Sequence, residues 1–194
     1  THQFWPRFNP ETNHSLKGGK LVLSDDWMTF KNVSSSESQW ILTQSIPIPK
    51  TKISVDFETS NESLVIVGCF VMSAKLVSKG IPLWDPHATS SWPAGIEMPL
   101  FSVMGCASGF CFTTESRGKK VCVSHDGPIG GRDGKPFVVE FENGIVRFTV
   151  RGKLHSTGRM DIKWLKEIPN PVLCFGVSIG SGERSVKVSH HLDS

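Results

Sequence analysis

The chain has 194 residues, 38% hydrophobic and 20% charged, which is ordinary globular material and not a disordered tail. Lys and Arg number 21 against 18 Asp and Glu. A net charge of +3 with no Lys/Arg run longer than Lys119-Lys120 gives no footprint for nucleic acid. No apolar run approaches the roughly 20 residues needed to cross a bilayer, so no membrane partner is expected.

The five cysteines, Cys69, Cys106, Cys111, Cys122 and Cys174, are odd in number and irregular in spacing. That fits a reducing compartment better than a disulfide framework, and a cytoplasmic location is expected. N-x-S sequons at Asn13, Asn32 and Asn61 keep a secreted or cell-surface origin open. A Cys106–Cys111 or Cys111–Cys122 bridge would accompany it. The chain opens on Thr1, as a fragment or processed product would, so an upstream targeting signal is out of view.

In chain order, Gly19 to Met28 reads as a strand running into a turn, followed by a strand over Thr29 to Val33. Gln39 to Ile46 is strand-like, and Pro47 and Pro49 interrupt it as at an edge or corner. Lys52 to Glu58 alternates: Ile53, Val55 and Phe57 face one way, Asp56 and Glu58 the other. Thr59 to Ser63 is a turn. Leu64 to Met72 is almost continuously apolar, which predicts a central strand buried on both faces.

Lys79 to Pro99 holds Pro82, Pro86, Pro93 and Pro99 with Trp84 and Trp92, and shows no periodicity. It reads as a long ordered loop or insertion, a type of segment that is often functional. Leu100 to Thr113 predicts two short strands around Gly105 to Gly109. Lys120 to Ser124 is a further strand, and Asp126 to Lys135 a turn-rich loop.

Phe137 to Lys153 is the most telling stretch. Two alternating runs flank Asn143-Gly144, the pair a type I′ turn favours because both central residues need φ > 0. A hairpin with a buried face and a wet face follows. Beyond it, Arg159 to Ile168 predicts one or two helical turns ended by Pro169. Val172 to Ile179 is a buried strand, Gly180 to Gly182 a turn, and Arg184 to Ser189 a closing strand. The sum is roughly ten to twelve short strands, the signature of a sandwich or barrel, with at most one short helix. No linker divides the chain, and residues 1–194 are read as a single domain.

The residues Glu140-Phe-Glu-Asn-Gly-Ile-Val-Arg-Phe-Thr-Val-Arg-Gly-Lys153 resemble the hairpin of the SPRY family of interaction domains. Asn170-Pro-Val-Leu-Cys-Phe-Gly-Val-Ser-Ile-Gly-Ser-Gly182 and Ser185-Val-Lys-Val-Ser189 resemble its two last strands. Phe8-Asn-Pro-Glu-Thr-Asn-His14 with Leu21-Val-Leu-Ser-Asp-Asp26 is similar to the opening of some members. Val67-Gly68-Cys69-Phe70 is similar to its central Val-Gly strand. Neuralized-type repeats and lectin-like sandwiches are further relatives by this pattern. The resemblance implies an all-β, two-layer antiparallel β-sandwich, SPRY- or concanavalin-like. It further implies binding of a peptide or protein through loops at one end, often as the substrate-recognition part of a larger protein such as a ubiquitin ligase. It implies no catalysis and no cofactor.

The residues themselves offer little chemistry. Glu140 and Glu142 lie two apart on a strand, roughly 7 Å on one face, a spacing a glycan-cleaving carboxylate pair could use. Solvated outward residues of an alternating strand are the simpler account of them, as of Asp56 and Glu58. Ser124-His125-Asp126 holds triad residue types, but neighbours in sequence do not reach triad geometry. Cys106, Cys111 and Cys122 lack the paired spacing of a structural zinc site, and inert buried thiols are expected instead. His190-His191 is read as an exposed tail. Gly130-Gly131-Arg132-Asp133-Gly134 lacks the strand-to-helix setting of a phosphate loop. No metal site is expected.

Trp84, Asp85, His87 and Trp92 are the constellation most suited to binding. Proline limits the freedom of their loop, and Trp gives large contact area at low entropic cost. With Arg117, Lys119, Arg132, Asp133 and Lys135 they form the expected partner surface. The expected function is therefore non-enzymatic recognition of a peptide or protein. A carbohydrate-binding or glucan-hydrolysing sandwich, with Glu140, Glu142, Asp56 and Glu58 on a concave face, is the first alternative. A structural or assembly domain is the second.

Overall fold

The computed structural model describes residues 6–12, 19–37, 39–59, 65–78, 101–106, 110–115, 120–124, 137–150, 153–159, 166 and 168–191. Among the described residues, fourteen strands form two antiparallel sheets. In the first, the spatial order is β1 (Leu21–Leu23), β2 (Thr29–Asn32), β14 (Arg184–His190), β5 (Ile53–Thr59), β10 (Phe137–Glu142), β11 (Ile145–Val150) and β12 (Lys153–Arg159). In the second, β3 (Gln39–Leu42) and β4 (Ile46–Pro47) both pair with β13 (Pro171–Ile179). The sheet then continues through β6 (Val65–Ser73), β7 (Phe101–Cys106), β8 (Phe110–Glu115) and β9 (Lys120–Ser124).

The alternation in the sequence decides which side chains face inward. Val55 and Phe57 of β5, Phe137, Val139 and Phe141 of β10, Val146 and Phe148 of β11, and Val186 and Val188 of β14 are all buried. They meet Val67, Cys69 and Val71 of β6 and Leu173, Phe175, Val177 and Ile179 of β13 in one apolar cluster. Burying such a side chain is worth about 1.5–3 kcal/mol, so this layer supplies much of the drive to fold. Asn143 and Gly144 take φ of 47° and 79°, and Glu142 pairs with Ile145 across them, as the type I′ expectation required.

The strand predicted to be buried on both faces is so. On β6, Phe70 and Met72 point away from the inter-sheet core and are still buried. Cys174 and Ser178 do the same on β13, and Leu42 on β3. The helix α1 (Ala74–Ser78), with Val77 buried, belongs to this side. Through β6 and β13 the second sheet is thus enclosed on both faces, whereas the outer face of sheet one carries Lys31, Glu58 and Lys187 into solvent.

The strand is interrupted before Pro47, which itself lies in β4 opposite Val172. Between β3 and β4 the ladder with β13 breaks at Thr43. The Phe175 N–H donates to the Thr43 hydroxyl at 2.9 Å, and the Thr43 N–H donates to the Phe175 carbonyl at 2.7 Å. The N-terminal segment runs along the other side of β3. There the Asn9 N–H donates to the Leu42 carbonyl, and the Gln44 N–H to the Arg7 carbonyl. Phe8 is thereby driven into the core, edge-on to Phe30 with ring centroids 5.1 Å apart.

One expectation is corrected. The helix expected from Arg159 onward is not found at its start, because Arg159 closes strand β12. Lys153–Arg159 carries one apolar residue, Leu154, which is exposed, so an outer edge strand of this kind has no alternation to read. A short α-helix stands at Ala74–Ser78. Residues 160–165 lie outside the described residues, as do the Thr59–Ser63 turn beyond Thr59, the Lys79–Pro99 segment and the Asp126–Lys135 loop.

The cysteines follow the strands. Cys69 and Cys174 are free and buried, one on each face of sheet two, and burial raises both thiols, Cys174 to about 12. Cys111 pairs with Gly105 and Val123, so neither Cys106 nor Cys122 stands directly opposite it.

Asn32 knits the two sheets. Its amide nitrogen lies 2.9 Å from the Glu37 carbonyl, 3.1 Å from that of Gly180 and 3.3 Å from that of Ile179, while its oxygen accepts from the Ser34 N–H. It is fully buried, so the sequon at Asn32 cannot bear a glycan in this fold. Asn13 and Asn61 lie outside the described residues. Replacing Asn32 by Ala leaves these carbonyls without their donor. Urea unfolding of Asn32→Ala should show a loss of about 1–3 kcal/mol, and Asn32→Asp, which sets a carboxylate against carbonyl oxygens, a larger one.

Candidate functional site

The outer face of sheet one gathers the acids. β5 and β10 pair so that Val55 meets Val139 and Phe57 meets Phe137 on the inner side. The intervening residues therefore share the outer side: Ser54, Asp56 and Glu58 from β5, Glu140 and Glu142 from β10. All four acids named from the sequence lie on this one face.

Each is set in a different local balance. Glu140 faces Arg147 of β11 directly in the register, and the guanidinium Nη1 lies 3.0 Å from its Oε1. The same nitrogen lies 3.5 Å from Glu142 Oε2, and Lys52 Nζ lies 3.9 Å from Glu140 Oε2. One arginine thus spans both carboxylates of the pair. These groups are a fifth to a half exposed, so the bridges orient side chains more than they stabilise the fold. Ser54, opposite Glu140, is buried, and among the described residues its hydroxyl has no partner.

Asp56 pairs with His191, whose Nδ1 lies 2.7 Å from Asp56 Oδ1. His190 is the last residue of β14, and the His191 N–H donates to the Ser54 carbonyl. Of the two residues expected to form an exposed tail, His190 is exposed but closes strand β14, and His191, just beyond the strand, is tied to β5 by its backbone and ring. Burial raises the Asp56 carboxyl above its ordinary value, against the opposing pull of His191 and with a further push from Glu58.

The nine residues expected to bind a partner, Trp84, Asp85, His87, Trp92, Arg117, Lys119, Arg132, Asp133 and Lys135, lie outside the described residues. So does His125 of the Ser124-His125-Asp126 segment, along with the Gly130–Gly134 turn. Among the described residues no group of His, Cys, Asp and Glu is placed to hold a metal ion, and no helix is long and apolar enough to cross a membrane.

No family model matches the chain, and no curated protein matches it. Solved structures do. The PSpry domain of TRIM65 superposes with a TM-score of 0.56 at 13% identity, over 96% of this chain and 90% of that one. The fold is a two-layer antiparallel β-sandwich of the kind that the PSpry domain has. The LamAcat structure from Zobellia galactanivorans follows with 0.52 at 11% identity, over 96% and 90% of the two chains. LamA of the same organism, solved with laminaritriose and laminaritetraose, gives 0.50 at 11%. The same two-sheet plan thus recurs in a protein solved with bound oligosaccharides, and likeness at these identities fixes architecture without fixing activity.

The Asp56 pair has a pH consequence. Because the folded carboxyl holds its proton more tightly than the unfolded one, its contribution to stability is fully present below the ordinary aspartate value, about 4. That contribution is lost as pH rises through the raised folded value. In Asp56→Asn the amide oxygen still accepts from His191, and the buried charge is gone. The stability of Asp56→Asn relative to the parent should therefore increase from pH 3.5 to pH 7 in urea titrations. A decrease over that window would show that the attraction to His191 outweighs burial.

Proposed function

We propose that this chain is a non-catalytic recognition module that holds a peptide or a segment of a partner protein through loops at one end of the sandwich. In this reading it serves as the substrate-receiving part of a larger protein of the ubiquitin-ligase type, in the cytoplasm. Its partner surface is formed by Trp84, Asp85, His87 and Trp92 with Arg117, Lys119, Arg132, Asp133 and Lys135. Residues 1–194 act as one domain.

The observation that carries the proposal is Arg147. A glycan-cleaving pair needs one carboxyl group to deliver a proton and the other to act on the sugar or on water between them. Here a guanidinium already spans Glu140 and Glu142. The acids then serve as the charged, solvated side of a scaffold, and the SPRY-type plan leaves recognition to its loops.

A carbohydrate-directed reading keeps one specific support: Asp56, Glu58, Glu140 and Glu142 share a face, on a fold whose plan recurs in a protein solved with laminaritriose. The two readings separate cleanly. Panning a displayed peptide library against the chain should yield binders under the recognition reading. Trp84→Ala combined with Trp92→Ala should then stay cooperatively folded and lose at least about tenfold in affinity. Unchanged binding removes these residues from the site. Under the carbohydrate reading, a β-glucan panel should show binding or cleavage that Glu140→Gln abolishes.

A further inference from the structure

The turn between β1 and β2 holds a residue out of character. Trp27 has φ of 60°, the left-handed region that glycine and asparagine occupy readily and bulky side chains avoid. It is also 42% exposed, the one large aromatic among the exposed hydrophobic residues described. Among the described residues no ring or cation lies against its indole, and its indole N–H has no acceptor. A strained backbone and a half-solvated indole are both unfavourable for folding.

The turn beneath it is fixed. The Trp27 N–H donates to the Ser24 carbonyl at 2.9 Å, and its carbonyl accepts from the Phe8 N–H. Asp26 Oδ1 accepts from both the Ser24 hydroxyl and the Met28 N–H, and the Ser24 hydroxyl in turn accepts from the Thr29 N–H. The Met28 carbonyl accepts from Val188 of β14. The indole is therefore presented by a backbone with little freedom left to lose on binding. Asp25 and Asp26 flank it, both exposed. Asp26 is held below the ordinary carboxylate range by the Ser24 hydroxyl first and then by the Met28 N–H, with a small pull from Lys187. Both of its hydrogen bonds fall on Oδ1, which leaves Oδ2 toward solvent. A π-face beside two carboxylates, on a chain whose net charge is +3, is complementary to a planar cation.

We propose that the Ser24–Met28 turn is a second docking element, in which Trp27 stacks on an arginine side chain of a partner protein while Asp25 and Asp26 receive its N–H groups. The element is separate from the residues proposed above for the main partner surface, and it stands or falls without them.

The test uses the full chain labelled with nitrogen-15 and the blocked peptide Gly-Gly-Arg-Gly-Gly, with its citrulline counterpart as the uncharged isostere. The Trp27 indole signal, assigned through Trp27→Phe, should shift saturably with the arginine peptide and not with the citrulline peptide. Asp25→Asn and added salt should each weaken binding several-fold. Trp27→Gly, which suits the positive φ, should keep the dispersed spectrum of the parent and abolish the response of the remaining turn signals. Trp84→Ala with Trp92→Ala should leave the titration unchanged, so failure of the main site and failure of this one are distinguishable. Equal shifts with both peptides, no saturable shift, or a titration that survives in Trp27→Gly would overturn the proposal. So would a collapse of the fold in Trp27→Gly and Trp27→Phe alike, since the indole would then be a packing residue.

Discussion

Everything in this molecule depends on sealing two antiparallel sheets against each other with every second residue of their strands. Phe57, Phe137, Phe141 and Phe148 project from one sheet and Phe175 from the other, with valines filling between them. This layer fixes register as well as stability. A slip of one residue between β5 and β10 would turn Val55 and Phe57 outward and bring Asp56 and Glu58 into the core. The charges on the outer face are thus held in place by the apolar residues behind them. The contact of Arg147 with Glu140 is a by-product of the pairing that puts Phe148 against the core.

The two sheets solve different problems. Sheet one alternates, with one dry side and one wet side. Sheet two is apolar on both sides through β6 and β13, and α1 lies on its far side. Thr43, Thr12 and Asn32 show how buried polar groups packed on or against this sheet find partners. The Thr12 hydroxyl donates to the Asn9 carbonyl and accepts from the Leu42 N–H, so an N-terminal turn is fastened to an edge strand. These side chains stand in for missing rungs of the ladder wherever the chain leaves regular pairing.

Legibility in the sequence tracked the strength of the local signal. Lys52 to Glu58 alternates throughout and Phe137 to Val150 does so apart from Val138 and Ile145, and a period of two has one structural meaning when Asn143-Gly144 separates the runs. The nearly unbroken apolar runs of β6 and β13 gave their double burial. Lys153–Arg159 became an edge strand through pairing with β11, and backbone pairing leaves no mark on composition. His191 is held beside the sheet because β5 offers Ser54 and Asp56 to it, a contact 135 residues distant in the chain. The positive φ at Trp27 was hidden for a related reason. Tertiary bonds from Phe8 and within the turn impose it, and no local preference of tryptophan announces it.

The double enclosure of β13 also decides where this sequence has room to drift. In an ordinary half-buried strand, every second position is free to change. From Leu173 to Ile179 there is no such position, since all seven residues are shut in. Polarity is then no guide to tolerance: Ser178 is as confined as Phe175, while Val22, an aliphatic residue on the open sheet, is free to be exchanged for almost anything.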